Sequence, residues 1–341
     1  MRVCNDVSEA VGNTPLVRLS RFVGRDDVML YGKCEFMNPG GSIKDRIGFH
    51  MVERAETAGL LRPGGTIVEA TAGNTGMGLA MAAARRGYRL VTVMTTKMSA
   101  EKVNLLRALG AEVVMCPYEV PYGSPEHFMT RARILARKIP GAWYADQFTN
   151  PDNVQAHFES TGPELWEQTG GRVGAVVAGM GTGGTLSGIG RYLRSRREDV
   201  RLVLADPEGS ILKAVHDGEP PTPAPYRVEG IGGDFVPGNA HLSLVDEAIR
   251  VSDLDAIRSA ERLFRTEGLF VGASSGAILA AALRFCSVPA NAGLCVVALL
   301  PDSGRAYLST IYSPEWRLRH GLADGPAAAQ RPEGLIPVAE N

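Results

Sequence analysis

A chain of 341 residues is longer than one hydrophobic core ordinarily serves, so two domains, or one large α/β unit with a subdomain, are expected. Its 36 basic and 37 acidic side chains nearly cancel and form no basic run, which excludes the electrostatic footprint of a nucleic-acid or anionic-membrane binder and leaves small molecules as the expected partners. Five scattered cysteines (Cys4, Cys34, Cys116, Cys286 and Cys295), with no CxxC pair and no Cys/His cluster, exclude a metal site by spacing and fit buried thiols of a reducing, cytoplasmic compartment.

The opening MRVCNDVSEAVGN lacks the apolar core of a signal peptide, and no later apolar run reaches spanning length. After Gly12-Asn13-Thr14-Pro15, residues 16–19 and 29–33 read as strands. The stretch Pro39-Gly40-Gly41-Ser42-Ile43-Lys44-Asp45-Arg46 follows. Ser42 and Asp45 have the spacing of a capping box with Asp in place of Glu, and Ile43, Ile47, Met51 and Ala55 recur behind them at i, i+4. A helix beginning at Ser42 and running over 43–58 is therefore expected. Lys44 falls in its first turn, where unpaired N–H groups and the positive end of the macrodipole disfavour an ammonium ion. Such a lysine either points into water or loses its charge and becomes a nucleophile and general base, able to form a Schiff base with an aldehyde.

Gly59 and the turn at 62–65 lead to a strand at 66–70, the loop Thr71-Ala72-Gly73-Asn74-Thr75-Gly76, an alanine-rich helix over 77–86 and a strand at 89–94. Ser99 caps a helix through 109, a strand covers 111–116, and Pro125 opens a helix to 138. This βαβα alternation implies a parallel sheet covered on both faces, with ligands at the carboxyl ends of its strands. The second half repeats the pattern: a helix across 151–168, a strand at 173–178, the loop 179–185, a helix to about Arg196 and a strand at 200–205. A looser Gly- and Pro-rich region spans 217–239, and helices at 253–266 and 274–285, a strand at 294–300 and a short helix after Pro301-Asp302-Ser303 complete the series. We expect an N-terminal α/β domain over 1–145, whose earliest strands cross into a C-terminal α/β domain over 146–322, and a disordered tail over 323–341, where no apolar period remains.

The 40 glycines cluster in short turns suited to close ligand approach. Gly179 to Thr185 follows a strand and opens a helix, the setting in which backbone amides bind phosphate. Gly179-x-Gly181-x-x-Gly184 also satisfies the dinucleotide fingerprint, and Asp206 ends the next strand where a ribose-binding acid would stand, so an NAD-dependent oxidoreductase is one reading. Thr182 and Thr185 add hydroxyl donors suited to a terminal phosphate, which favours the other. The 71–76 turn can be plain turn chemistry or can receive a carboxylate on its amides, with the Asn74 side chain free to meet a phenolate oxygen. Ser274-Ser275-Gly276 is either a helix cap or a hydroxyl donor to a ring nitrogen.

Taken together, PGGSIKDR, TAGNTG, GTGGT, GASSGA and LPDSGR, in this order, resemble the β-family (fold type II) of pyridoxal 5′-phosphate (PLP) enzymes, and within it the cysteine synthase and cystathionine β-synthase group, over about residues 5–321. DPEGSIL, VEGIGGDFVP, MSAEKVNLLRALGAEVV and PEWRLRHG are similar to the cystathionine β-synthase side of the group. The resemblance implies two three-layer α/β domains with mainly parallel sheets, like the tryptophan synthase β-subunit, and a homodimer. It implies Lys44 as the Schiff-base lysine, Gly181, Thr182, Gly183, Gly184 and Thr185 on the cofactor phosphate, Asn74 on its O3′ and Ser274 on the pyridine nitrogen. Thr71, Ala72, Gly73, Asn74, Thr75, Gln147 and Gly230 would receive the amino-acid substrate.

The implied chemistry is β-replacement on a serine-type amino acid. Lys44 takes the α-proton, the leaving group departs to leave an aminoacrylate, and a nucleophile adds at Cβ. Condensation of serine or activated serine with homocysteine is the expected reaction; cysteine synthesis from O-acetylserine or O-phosphoserine and sulfide, or a specialised β-substitution with another nucleophile, are its alternatives. A non-catalytic amino-acid-binding protein on the same fold is a further one. Neither the haem-binding extension nor the paired regulatory domains of the animal enzyme is expected. Three positions depart from the group: Ala72 replaces a serine, and Phe148 and Gly233 stand where tyrosines are usual near the second substrate.

Overall fold

The computed structural model describes residues 3–323 apart from Asp26, Ala72 and Tyr122. Among these, ten strands alternate with helices: β1 Leu16–Arg18, β2 Met29–Cys34, β3 Thr66–Ala70, β4 Arg89–Thr95, β5 Glu112–Cys116, β6 Ala142–Tyr144, β7 Val173–Gly179, β8 Arg201–Pro207, β9 Glu247–Val251 and β10 Cys295–Leu300. They build two sheets, ordered β1-β2-β10-β7-β8-β9 and β5-β4-β3-β6. Only the β1–β2 pairing is antiparallel. The first two strands belong to the larger sheet: Leu30 pairs with Val296 and Tyr31 with Val297, so the start of the chain extends the sheet of its second half. Every residue of β10 is buried, as a parallel strand covered on both faces requires, and its sequence is accordingly a continuous apolar run.

Two helices over the smaller sheet bring the site together. Ile47, Met51, Val52 and Ala55 of Lys44–Thr57 share one apolar cluster with Leu79, Ala82 and Ala83 of Asn74–Arg86. Each larger side chain buried there contributes roughly 1.5–3 kcal/mol. The helices meet backbone to backbone. A Cβ on Gly48 would lie 2.4 Å from the Gly78 carbonyl carbon, and one on Gly78 2.6 Å from the Lys44 carbonyl oxygen. Only glycine permits that approach. It sets the starts of both helices, Lys44 and Asn74, on one cavity.

A buried ionic cluster ties the Lys44 helix to the larger sheet. Arg46 grips Glu35 through Nε (2.7 Å) and Nη2 (2.8 Å), and Glu164 through Nη1 (2.7 Å) and Nη2 (2.8 Å). Lys33 of β2 donates to Glu164 (2.5 Å), Gln168 (3.0 Å) and the Thr14 carbonyl oxygen (2.7 Å). Burial opposes the charge on Glu35, yet the Arg46 guanidinium, aided by Lys33, holds its carboxyl below the ordinary range.

The structure corrects several local expectations. The first helix of the site starts at Lys44, not Ser42. Ser42 is drawn into an antiparallel bridge with Asp302, its Oγ accepts the Lys44 N–H (3.2 Å), and the Asp45 carboxylate turns back to the Gly40 N–H (2.6 Å) instead of closing a capping box. The helix expected across 151–168 is two, Asp152–Glu159 and Thr161–Gln168, broken at Ser160, whose φ of −124° is not helical and whose hydroxyl bonds the Ala156 carbonyl oxygen. The helix after the 71–76 turn begins early, at Asn74, and the one after Pro125 begins late, at Phe128. β6 and β9 had no counterpart among the expected strands; both are sheet edges, where short or charge-interrupted sequence suffices. Of the tail expected over 323–341, residues 324–341 lie outside the described residues.

Candidate active site

A cavity of about 500 Å³ opens where strands of both sheets end, lined by residues that follow β3, β4, β7 and β10. Lys44, Thr71, Asn74, Thr75, Gln147, Gly181, Thr182, Gly183, Thr185, Gly230 and Ser274 all lie in its wall. Gly73 and Gly184 stand behind that lining, as the residue before one helix and the first residue of another. Ala72 is outside the described residues.

Lys44 combines a helix start with a desolvated amine. Burial drives its ammonium down to about 8, against the opposing attraction of the Asp302 and Glu35 carboxylates. No hydrogen bond to its Nζ is made by the described residues. Lys44 is half-buried and lies in the cavity wall.

Across the cavity, the turn after β7 forms a cradle that only glycine allows. A Cβ would stand 2.2 Å from the Gly230 carbonyl oxygen at Gly181, 2.4 Å from the Ala240 nitrogen at Gly183 and 1.9 Å from Asn153 Oδ1 at Gly184. Gly183 has φ +88° and no side chain caps the helix Gly184–Arg196, so its first N–H groups remain free for an anion. Two threonine hydroxyls are held at the rim. Thr182 Oγ1 accepts from Asn153 Nδ2 (3.0 Å), and Thr185 Oγ1 lies 3.1 Å from His157 Nε2. Burial drives the His157 imidazolium far below its usual range, with the Lys44 charge adding to the effect, so a neutral ring supports Thr185. The fit is that of a terminal phosphate.

Asp206 answers the dinucleotide alternative. It is fully buried, its Oδ2 accepts the Lys213 N–H (2.9 Å), and it does not reach the cavity. Asp206 is therefore not placed to bind a ribose. Ser274 is not a helix cap: Gly272 is the N-cap of the helix Ala273–Ser287, and Ser274 lies in the cavity wall without a side-chain partner among the described residues.

The loop after β3 is preorganised. Thr71 Oγ1 accepts from the Gly73 (3.0 Å) and Gly76 (3.3 Å) amides. Thr75 Oγ1 donates to Gln147 Oε1 (2.6 Å), and Gln147 Nε2 is fixed on the Ala70 carbonyl oxygen (2.7 Å). Gln147 follows Asp146, whose φ of 47° is left-handed, the kind of backbone strain that accumulates at functional sites.

A chain of buried polar groups, not apparent from the motifs, closes the site. Asp302 Oδ2 accepts from Asn74 Nδ2 (2.7 Å) and the Tyr307 hydroxyl (2.5 Å); Lys102 Nζ donates to that hydroxyl (3.0 Å) and to Glu229 (2.8 Å). Four separated segments thereby share one network. Asp302 had a signal in its place directly after a strand's carboxyl end; His157, mid-helix, had none. The outer wall is aromatic: Phe148 packs between Phe128 (6.3 Å between centroids) and Phe235 (5.5 Å). Beside them a Cβ at Gly233 would meet only the Phe235 backbone, 3.2 Å away.

Parallel strands that end on a glycine-walled phosphate cradle, with a weakly basic lysine on the facing helix, define the class: an α/β enzyme of a phosphorylated carbonyl cofactor. A family model described as pyridoxal-phosphate dependent enzyme matches residues 7–302, and the chain belongs to that family. It is 43% identical over 324 residues to a cystathionine beta-synthase of Apis mellifera, covering 94% of this chain and 64% of that protein. It is 42% identical over 333 residues to that of Rattus norvegicus (97% and 59%) and 40% over 336 residues to that of Saccharomyces cerevisiae (96% and 66%). The chain thus spans about six tenths of the length of the curated relatives it matches. Among the described residues, no helix is long and apolar enough to cross a membrane.

Proposed function

We propose that this chain catalyses β-replacement on a serine-type amino acid, joining serine or activated serine to homocysteine as a cystathionine β-synthase. The observation that carries the reading is that Lys44 lines the same cavity as Gly181, Thr182, Gly183 and Thr185 of the glycine cradle. PLP bound there would supply an electron sink for the negative charge that develops at the substrate Cα. The uncapped amides at Gly183–Thr185 and the hydroxyls of Thr182 and Thr185 would hold its phosphate, Ser274 its ring nitrogen and Asn74 its phenolate oxygen.

The protein's own groups do the rest. The uncapped Asn74 and Thr75 amides at the helix start and the Thr75–Gln147 pair would hold the α-carboxylate, which orients the Cα–H toward Lys44. Lys44, with its ammonium near 8, can hold the α-proton and return it at neutral pH. Asp302 keeps Asn74 in place and stabilises the charged form of Lys44 while the proton resides there. The Phe128–Phe148–Phe235 wall keeps water from the reacting carbons. Five free cysteines, four of them buried, support a reducing cytoplasmic setting, and a homodimer is the assembly the family resemblance implies.

The test is a substrate panel: the PLP-loaded protein with serine, O-acetylserine or O-phosphoserine, each with homocysteine or sulfide. Cystathionine from one of the serine donors, absent in Lys44→Ala, is expected. Product with sulfide alone would replace this reading by cysteine synthesis.

A further inference from the structure

The charged side chains of the cavity wall sort into those already engaged and those that are not. Lys102 is paired with Glu229, Asp302 is held by Asn74 and Tyr307, Asp234 has His127 beside it, and Lys44 lies on the facing helix. Lys97 and Glu119 remain. Among the described residues neither has an ion-pair partner, nor do they pair with each other. Both also line a second cavity of about 450 Å³ that shares Tyr118 and Glu229 with the first, so they stand on the boundary between the two.

Lys97 is not a loose surface lysine. Its Nζ stands 4.8 Å from the Tyr118 ring centroid and 4.5 Å from that of Tyr226, and it donates to the Tyr118 hydroxyl (3.3 Å). Two aromatic faces fix an ammonium whose counter-charge the protein does not provide. Glu119, exposed and lining the same two cavities, offers the opposite sign. The first cavity also carries the Phe128–Phe148–Phe235 wall, whose rings are apolar enough to receive methylenes but offer no donor for a carboxylate.

We propose that Lys97 and Glu119 recognise the zwitterionic head of the second substrate, Lys97 taking its carboxylate and Glu119 its ammonium, while its thiol side chain reaches inward along the phenylalanines. The nucleophile is thereby an α-amino acid with a side-chain thiol, not sulfide. This rests on the β-replacement reading above and names the substrate class of the same site.

The experiment measures KM for four thiols with one serine donor: homocysteine, 4-mercaptobutyrate (carboxylate only), 3-mercaptopropylamine (ammonium only) and 1-propanethiol (neither). In Lys97→Gln the KM for homocysteine and 4-mercaptobutyrate should rise about tenfold, with less than about twofold change for the other two, as loss of one charged contact predicts. In Glu119→Gln the loss should fall on homocysteine and 3-mercaptopropylamine. An equal effect on all four thiols, which a purely structural Lys97–tyrosine contact would give, overturns the inference, and so does no effect on any. A wild-type protein that consumes the serine donor but joins none of the four thiols to it overturns the homocysteine reading and this one together.

Discussion

Replacing Asp302 by Asn tests how the site tunes its lysine. Asp302 is buried, its Oδ2 receives two donors, and its charge raises the Lys44 ammonium against the larger effect of burial. Asparagine keeps the shape and removes the charge, so the Lys44 value of about 8 should fall further. For charges beyond direct contact in a partly buried site, the lost attraction is on the order of 1 kcal/mol, or about one pKa unit downward. Both donors reach the same oxygen, so an asparagine Oδ1 in that place still accepts both, and the substitution acts through the lost charge. The assay is competitive acetylation of the cofactor-free protein across pH, with the labelled Lys44 peptide quantified by mass spectrometry. The wild type should give a midpoint near 8 and Asp302→Asn a lower one. Tyr307→Phe, which removes a donor and no charge, should leave the midpoint within a few tenths of a unit. A midpoint that stays or rises in Asp302→Asn would refute the reasoning.

Other perturbations follow from the same geometry. A Gly184→Ala methyl would stand 1.9 Å from Asn153 Oδ1, and the Asn153 amide is held by Gln147 and Thr182, so PLP affinity in equilibrium dialysis should drop by about a hundredfold with the circular dichroism spectrum unchanged; an unaltered Kd would mean that the cradle is not where phosphate binds. Arg46→Met removes the common partner of Glu35 and Glu164 and leaves the buried Glu35 carboxylate without an ion pair, Lys33 remaining on Glu164, so urea denaturation should show a loss of about 3–5 kcal/mol. A loss below about 1 kcal/mol would show that the cluster relaxes around the change. Exchange of the substrate α-proton for deuterium should rise with pH through about 8, because Lys44 must be uncharged to accept that proton; a rate that falls over the same interval would assign the base elsewhere.

Much of this was readable from the chain because each motif sits directly after a strand. The turns at 71–76 and 179–185 stand out through local glycine and threonine chemistry, and both follow the carboxyl ends of strands, β3 and β7. What escaped is non-local. Ser42 looks like a helix cap until Asp302 bridges it, and the Asn74–Asp302–Tyr307–Lys102–Glu229 network joins segments that only the fold makes neighbours. The edge strands β6 and β9 escaped for another reason. They lack the continuous apolar run that central parallel strands display, and Glu247 and Arg250 in β9 read as loop. Asp206 shows the converse risk: its spacing suited a ribose, while its burial commits it to the Lys213 amide.

The central claim is that Lys44 and the glycine cradle hold one cofactor between them. The most direct measurement is borohydride reduction of the PLP-loaded protein, followed by proteolysis and mass spectrometry of the modified peptide. A phosphopyridoxyl group on Lys44, lost in Lys44→Ala together with the visible absorbance band, is the predicted result. The same group on Lys97 or Lys102, or no covalent label in a protein that binds PLP, would contradict it.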